Sequence, residues 1–160
     1  MNEIRHTIVD SPIGPLTVVA DDDTIVEVRF ANNQLAAGEG GERNDEDPLL
    51  ASARTQLDEY FSGARRVFDL PLAPRGTEFQ VAAWAALRTI PYGETVSYGE
   101  QARRLGNANK SRAVGAANGK NPLPIVVPCH RVVGTNGTLT GFGGGLEAKA
   151  WLLDHELQHR

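Results

Sequence analysis

Residues 97–118 read SYGEQARRLGNANKSRAVGAAN and contain two short helix patterns separated by a turn. Ser97 is a suitable N-cap for a helix that runs to Leu105, because its hydroxyl can accept a hydrogen bond from a free amide of the first turn. Residues 106–109 are typical of a turn, and Ser111 is the expected N-cap of a second helix. Two helices joined by a tight turn predict a helix-turn-helix.

The second helix of this motif is cationic at its start and lined with small residues. Lys110 and Arg112 supply the charge, and the small residues are Ala113, Gly115, Ala116 and Ala117. Such a helix can lie close to a nucleic-acid groove, with its N-terminal amides near phosphate. Small residues also suit tight helix packing, so this feature alone leaves both interpretations open.

Two longer helices are expected on either side of the motif. Thr77 is a candidate N-cap for a helix that is apolar over most of its circumference, which predicts burial in a core. A C-terminal helix is expected over residues 147–157. Its expected buried residues are Ala150, Trp151, Leu153 and Leu157.

The first half of the chain predicts a small antiparallel meander followed by one helix. The expected strands are residues 5–9, 16–20 and 25–30, with a last strand at 67–70. Residues 31–47 are expected to be a surface connection, and a helix is expected from Pro48 to a stop at Gly63. Residues 71–76 contain two prolines and a glycine and predict a linker. The chain is therefore predicted to be α+β, with an N-terminal domain over 1–74 and a mainly helical domain over 75–160.

Composition limits the class of protein. The 160 residues are 41% hydrophobic and 22% charged, which is typical of globular domains. No apolar run approaches the length of a membrane span, so a cytoplasmic protein without membrane contact is expected. The single cysteine, Cys129, excludes an internal disulfide and a Cys-rich zinc site.

The charge is divided unevenly along the chain. The net charge is −4, but residues 1–75 hold 14 acidic and 7 basic side chains, whereas residues 76–160 hold 6 and 9. Residues 94–131 contain six lysines and arginines but only two carboxylates, and this local excess of positive charge predicts one basic surface. A solvated face of uneven charge is the plainer interpretation of the same numbers.

The segment around the cysteine carries the chemistry. Residues 121–134 read NPLPIVVPCHRVVG, an apolar strand-like run that ends at a proline and delivers Cys129. A lone cysteine is most often an inert buried residue. Here His130 and Arg131 follow it directly and are expected to favour the thiolate. Glu156 is a candidate carboxylate to orient His130.

With Pro-Cys-His-Arg at 128–131, the chain resembles the 6-O-alkylguanine-DNA alkyltransferases of bacterial type. Further matching motifs stand in family order at 75–80, 90–99, 111–115, 121–122, 139–146 and 149–153. The resemblance implies direct-reversal DNA repair, in which Cys129 irreversibly takes an alkyl group from the 6-oxygen of guanine, once per molecule. The 4-oxygen of thymine is left open as a second target.

The resemblance also implies roles for individual residues. His130, acting through a water and held by Glu156, would take the thiol proton, and Tyr98 would donate to the purine. Arg112 would fill the space of the flipped nucleotide. The other residues implied in contact with DNA or the base are Lys110, Ser111, Asn121, Pro124, Val132, Phe142 and Gly143.

The expected partner is double-stranded DNA containing alkylated guanine, bound through the minor groove by a monomer, with no cofactor and no metal. Phe142 stands where many relatives have a tyrosine, which removes one hydroxyl from the expected pocket. Three rival functions are a lesion sensor without an acceptor thiol, a Cys/His hydrolase, and an alkylation-switched regulator. The thiol argues against the first rival, the adjacent Cys-His pair against the second, and the absence of an extra DNA-binding domain against the third.

Overall fold

The computed structural model describes residues 3–160, which divide into two compact units, one ending at Pro74 and the other beginning at Arg75. The first unit contains β1 (Ile4–Val9), β2 (Leu16–Asp21), β3 (Thr24–Arg29), β4 (Glu42–Arg43) and α1 (Pro48–Ser62). The second contains α2 (Glu78–Leu87), β5 (Val96–Ser97), α3 (Tyr98–Arg104), α4 (Ser111–Gly119), β6 (Val132–Val133) and α5 (Leu146–His159). The predicted α+β class is confirmed. None of the helices in residues 3–160 has the length and apolarity needed to cross a bilayer.

The sheet of the first unit has the strand order β3-β2-β1-β4. The first three strands form the predicted antiparallel meander, and β4 adds to the edge parallel to β1. β4 lies inside the stretch expected to be a surface connection, so that expectation is wrong at Glu42–Arg43. Two charged residues have no apolar alternation, so only their pairing with β1 identifies them as a strand.

Helix α1 begins and ends where local sequence chemistry predicts. The Asp47 side chain accepts a hydrogen bond from the Leu50 amide at 3.0 Å, and Pro48 occupies the first turn. Gly63 ends the helix in the left-handed conformation, with φ of 87°. The helix packs on β1 and β2 and buries Leu50 and Tyr60.

The expected strand at 67–70 is wrong. Val67 is 75% exposed, and the segment has no strand structure. The chain instead contacts the sheet at residues 71–73. The Ile25 amide donates to the Pro71 carbonyl, and the Ala73 amide donates to the Ile25 carbonyl. A proline lacks an amide proton but keeps its carbonyl, so part of the segment expected to be a linker bridges to the sheet.

The core of the second unit is formed by α2, α3 and α4 around Trp84. The indole nitrogen of Trp84 donates to the Ala117 carbonyl at 2.8 Å. Gln101 and Asn118 exchange two buried side-chain hydrogen bonds of 3.0 and 2.8 Å. These contacts join the two helices of the predicted helix-turn-helix, because each of the two side-chain amides satisfies the buried polar atoms of the other amide.

Helix α2 has the predicted N-cap, but less of its surface is buried than the sequence predicts. Thr77 and Gln80 form a reciprocal capping box. Only one side of the helix is buried, at Ala83, Trp84 and Leu87, and Val81 is 39% exposed. The expectation of burial around most of its circumference is therefore wrong.

The start of α4 also differs from the prediction. Ser97 caps α3 as expected, by accepting from the Glu100 amide at 3.0 Å. Ser111, however, is the first residue of α4, and Lys110 precedes it without a side-chain cap. The 3-10 turn that Asn107 caps leads directly into α4, so Ser111 already has the helical angles φ −58° and ψ −35° and cannot be an N-cap.

The buried face of α5 is polar, contrary to the expectation. Of the four residues expected there, Ala150 and Leu157 are exposed and Trp151 and Leu153 are half-buried. The buried residues are Ala148, Lys149, Leu152, His155 and Glu156, three of them polar. Polar side chains can occupy a buried face when they find hydrogen-bond partners there. Lys149 and Glu156 find those partners in the segment that carries Cys129.

Candidate active site

The segment before Cys129 is a series of tight turns, so the predicted strand-like run is wrong. The Val126 amide donates to the Pro124 carbonyl at 2.9 Å, which closes a three-residue turn around Ile125. Ile125 has φ of +74°, a strained conformation for a β-branched residue. Its side chain is buried, and that burial offsets part of the strain.

A second three-residue turn delivers the cysteine. The Cys129 amide donates to the Val127 carbonyl at 2.8 Å around Pro128, whose φ and ψ are −81° and 67°. Residues Cys129–Arg131 then form a single 3-10 turn that leads into β6. The prolines at 122, 124 and 128 each lack an amide donor, which explains why this apolar run does not pair as a strand.

Asn121 clamps these turns with its side chain. Its amide nitrogen donates to the Val127 carbonyl at 2.9 Å, and its side-chain oxygen accepts from the Leu123 amide at 2.9 Å. Both ends of the strained segment are therefore held by one residue. This geometry agrees with a role for Asn121 in bracing the cysteine.

The thiol of Cys129 is buried, and burial raises its pKa above the ordinary value. A hydrogen bond from Asn121 and the charge of Lys149 act in the opposite direction but do not overcome burial. The expectation that His130 and Arg131 favour the thiolate stays a prediction. The Arg131 guanidinium is bonded to Glu156, and burial lowers the pKa of His130, so the histidine is a proton acceptor and not a cation beside the thiol.

His130 is fully buried and bonded to Glu156. Its Nε2 lies 2.6 Å from a Glu156 carboxylate oxygen, whereas Nδ1 has no hydrogen-bond partner among residues 3–160. Burial lowers the pKa of His130, although Glu156 acts to raise it. A neutral ring that donates from Nε2 to the carboxylate has an open acceptor at Nδ1.

Glu156 is surrounded by donors. Besides His130, it accepts from Arg131 through Nε at 2.8 Å and Nη2 at 3.1 Å, and from the Gly93 amide at 3.1 Å. Arg131 also donates to the Ile90 carbonyl at 2.7 Å. Burial alone raises the pKa of Glu156, but the bonds and charges of His130 and Arg131 hold that pKa well below its usual range. The carboxylate is therefore ionised and pairs with Arg131.

Lys149 is a residue of this site that the sequence analysis missed. Its ammonium is fully buried and donates to the Val132 carbonyl at 2.7 Å and the Thr140 carbonyl at 2.8 Å. Burial lowers its pKa, and Cys129 acts to raise it. The available signal was the spacing of seven residues from Glu156, which places both side chains on one face of α5.

Tyr98 approaches the site from the first turn of α3. The Thr140 hydroxyl donates to the phenol oxygen at 3.0 Å, and the Lys149 ammonium lies 5.9 Å from the ring centroid. Gly115 of α4 lies beside the same ring, where an added Cβ would meet it at 3.7 Å. The loop of residues 134–145 carries half-buried Phe142 and exposed Gly143, and Pro124 is buried beneath the turn before Cys129.

The basic surface is smaller than predicted. Arg131 is not on it, because its guanidinium is buried against Glu156. Arg103 and Arg104 both pair with Glu100. Arg103 and Arg104 are nevertheless exposed. The other exposed cations of the stretch are Lys110, whose ammonium lies 5.4 Å from the Phe79 ring centroid, Arg112 and Lys120.

A shallow groove of about 360 Å³ runs beside Arg112 on α4. It is lined by Tyr98, Gly99, Ser111, Arg112, Gly115, Gly134 and Thr135. The groove thus joins the predicted DNA-contacting residues Ser111 and Arg112 to Tyr98. Phe142 and Gly143 are not among its lining residues.

Two family models match the chain, one over each unit. Residues 4–74 match the ribonuclease-like domain of 6-O-methylguanine DNA methyltransferase, and residues 78–158 match its DNA binding domain. The chain belongs to the 6-O-methylguanine DNA methyltransferase family. As a member of this family it acts in DNA repair as a methylated-DNA–protein-cysteine methyltransferase, and DNA is its partner.

Relatives of this methyltransferase family match nearly the whole chain. The methylated-DNA–protein-cysteine methyltransferase of Methanosarcina acetivorans is 45% identical over 94% of this chain and 97% of its own length. The Mycobacterium tuberculosis O6-methylguanine methyltransferase structure is 42% identical, with a TM-score of 0.89, covering 99% of this chain and 95% of that one. The structure of Mycobacterium tuberculosis OGT in complex with DNA is 45% identical, with a TM-score of 0.88, covering 97% and 94%.

Proposed function

We propose that Cys129 is the residue that accepts the alkyl group from the exocyclic 6-oxygen of guanine. It is the only cysteine of the chain and stands on a turn held by Asn121, next to a buried histidine and carboxylate. The sulfur attacks the alkyl carbon in line with the leaving oxygen, a sulfur–carbon bond forms, and the carbon–oxygen bond breaks. The resulting thioether is stable, so each molecule reacts once.

The thiol proton passes to His130 in this proposal. Its Nδ1 is the open acceptor, and its Nε2 is already engaged by Glu156. Side chains of adjacent residues need not touch each other, so in this proposal a water between the sulfur and Nδ1 carries the proton. Glu156 sets which ring nitrogen carries the proton, as an orienting carboxylate does in other nucleophile–base pairs.

Tyr98 supplies a proton or hydrogen bond to the departing purine. The Thr140 hydroxyl donates to the phenol oxygen, which leaves the phenol proton available for the base. The Val132 carbonyl already accepts from Lys149 but keeps a second lone pair for the guanine edge. Pro124 and Phe142 form the pocket walls, and the Gly143 amide faces the exocyclic oxygen.

DNA docks on the exposed side of α4 in this proposal. Lys110, Ser111 and Arg112 lie at the start of that helix, and small exposed Ala113 and Ala116 allow close approach to the minor groove. The reacting carbon is inaccessible inside a duplex, so the nucleotide is flipped out and Arg112 fills its place. We further propose that the protein acts as a monomer in the cytoplasm. The 4-oxygen of alkylated thymine is a second possible target, and the same transfer assay with that lesion tests it.

Mass spectrometry with a duplex oligonucleotide that contains 6-O-methylguanine tests the proposal. We expect one added methyl group per protein molecule, mapped to the peptide that contains Cys129, and none on a Cys129→Ser variant. Lesion binding without transfer would indicate a sensor. Loss of the methyl group from DNA without a gain of protein mass would indicate a hydrolase.

A further inference from the structure

Lys149 is a buried cation without an acidic partner. Its ammonium is fully buried, and in residues 3–160 its hydrogen bonds go to two backbone carbonyls and to no carboxylate. Burying a charge without a counter-charge is costly, so a negative charge that forms nearby would be stabilised by this ammonium. The Glu156 carboxylate, which lies on the same helix, is committed to His130 and Arg131.

The charges around the cysteine leave one positive charge unbalanced before reaction. Glu156 and Arg131 cancel each other, and His130 is neutral because burial disfavours its charged form. The Cys129 thiol is neutral before reaction, because burial raises its pKa. The Tyr98 phenol faces Lys149 from α3, and Glu94 and Arg160 line a cavity on the side of Glu156. Among the groups of the cysteine site, Lys149 is therefore the cation whose hydrogen bonds reach no carboxylate in residues 3–160.

We propose that Lys149 is the positive charge that stabilises the Cys129 thiolate as it forms during alkyl transfer. Lys149 donates to the carbonyl of Val132, the residue that follows the turn Cys129–Arg131, so its ammonium is held beside the cysteine segment. The charges of Cys129 and Lys149 each favour the other, as the direction of both pKa effects indicates. This role rests on Cys129 being the acceptor.

The role is specific to the reacting state. When the thiol proton moves to His130, the sulfur becomes negative beside the ammonium. When the sulfur–carbon bond forms and the guanine oxygen leaves, the sulfur is a neutral thioether again. Lys149 therefore stabilises the thiolate more than the thiol or the product, which is the condition for accelerating the step. Its second bond, to Thr140, also ties the loop of residues 134–145 to the cysteine turn.

The test is the ionisation of Cys129 without DNA. Because the chain has a single cysteine, carbon-13-labelled cysteine gives one Cβ resonance whose pH dependence reports this thiol alone. We expect Lys149→Gln, which keeps a hydrogen-bond donor but loses the charge, to raise the thiol pKa by about one to three units. The transfer rate at neutral pH should then fall about tenfold or more. Lys149→Arg, which keeps the charge, should recover most of the difference.

Lys120→Gln is the matched control for the titration, because it removes an exposed lysine charge at the end of α4 and should leave the thiol pKa unchanged. An unchanged thiol pKa in Lys149→Gln would overturn the proposal and leave Lys149 as a structural tie. If Lys149→Gln unfolds, the titration of Lys149→Arg decides: a thiol pKa near that of the unmodified protein supports the role of charge, and a large rise overturns it. If mass spectrometry places the methyl group elsewhere than on Cys129, the proposed function has failed, whatever the titration shows.

Discussion

Replacing Glu156 with glutamine removes the negative charge on which His130, Arg131 and Gly93 converge. The amide has nearly the same shape as the carboxylate, so its oxygen can still accept from the Gly93 amide and Arg131 Nε. Its nitrogen, however, faces His130 Nε2 and Arg131 Nη2, which are donors at 2.6 and 3.1 Å from the present oxygen. The variant therefore leaves a buried guanidinium without its counter-charge and sets donor against donor.

The cost follows from the burial of this pair. Removing one partner of a buried ion pair lowers the free energy of unfolding by about 3–5 kcal/mol. Glutamine retains two of the contacts, so we expect a loss of about 3 kcal/mol, a large part of a total that is about 5–15 kcal/mol in ordinary domains. The donor clash also favours the His130 tautomer with the proton on Nδ1, which cannot accept a proton from the thiol. Alkyl transfer should fall about 100-fold or more, as for loss of a general base.

Urea unfolding followed by tryptophan fluorescence measures the free energy of unfolding of the variant and of the unmodified protein. Both tryptophans, Trp84 and Trp151, lie in the unit that carries the site, so the signal reports that unit. The folded-state pKa of Glu156 is depressed, so its stabilisation is present above its unfolded pKa of about 4.3 and is lost as pH falls toward the folded value. The difference between the two proteins should be constant from about pH 6 to 8 and shrink below about pH 4.

Glu147→Gln is the control, because it makes the same substitution at an exposed position in the first turn of α5. It should change the free energy of unfolding by no more than about 0.5 kcal/mol. If Glu156→Gln is as stable as Glu147→Gln, or if their difference does not depend on pH in acid, the assignment of a buried, ionised Glu156 paired with Arg131 is wrong.

Three further outcomes test the DNA-binding face and the cysteine turn. Arg112→Ala, and more mildly Arg112→Lys, should slow repair in duplex DNA but not reaction with the free alkylated base, since only the duplex requires flipping; equal losses on both substrates would remove the intercalating role. A plot of log affinity against log salt should fall despite the net charge of −4, with a slope reduced by about one in Lys110→Ala; a flat plot would argue against phosphate contacts. Asn121→Ala should lower stability by about 1–3 kcal/mol and slow transfer, because it frees the buried Val127 carbonyl while Ile125 remains strained; unchanged transfer would show that the clamp is dispensable.

Local chemistry determined the elements that sequence reasoning placed correctly. The stop of α1 at Gly63, the N-cap of α2 at Thr77 and the N-cap of α3 at Ser97 each depend on residues at or next to the helix end. The same holds for the Pro-Cys-His-Arg motif, whose residues are adjacent in the chain. Patterns of this kind need no knowledge of distant contacts.

Tertiary structure alone decided which polar groups are buried. An amphipathic analysis of α5 favours its apolar residues for the core, yet Lys149 and Glu156 are buried because Val132, Thr140, His130 and Arg131, all distant in sequence, satisfy them. The path of the chain before Cys129 has the same origin. Its apolar residues are equally suited to a strand, and the side chain of Asn121 together with the burial of Ile125 selects the turns instead. The sequence therefore pointed to Cys129, the proposed acceptor, whereas the electrostatic surroundings of this residue arise from contacts between segments that no local pattern contains.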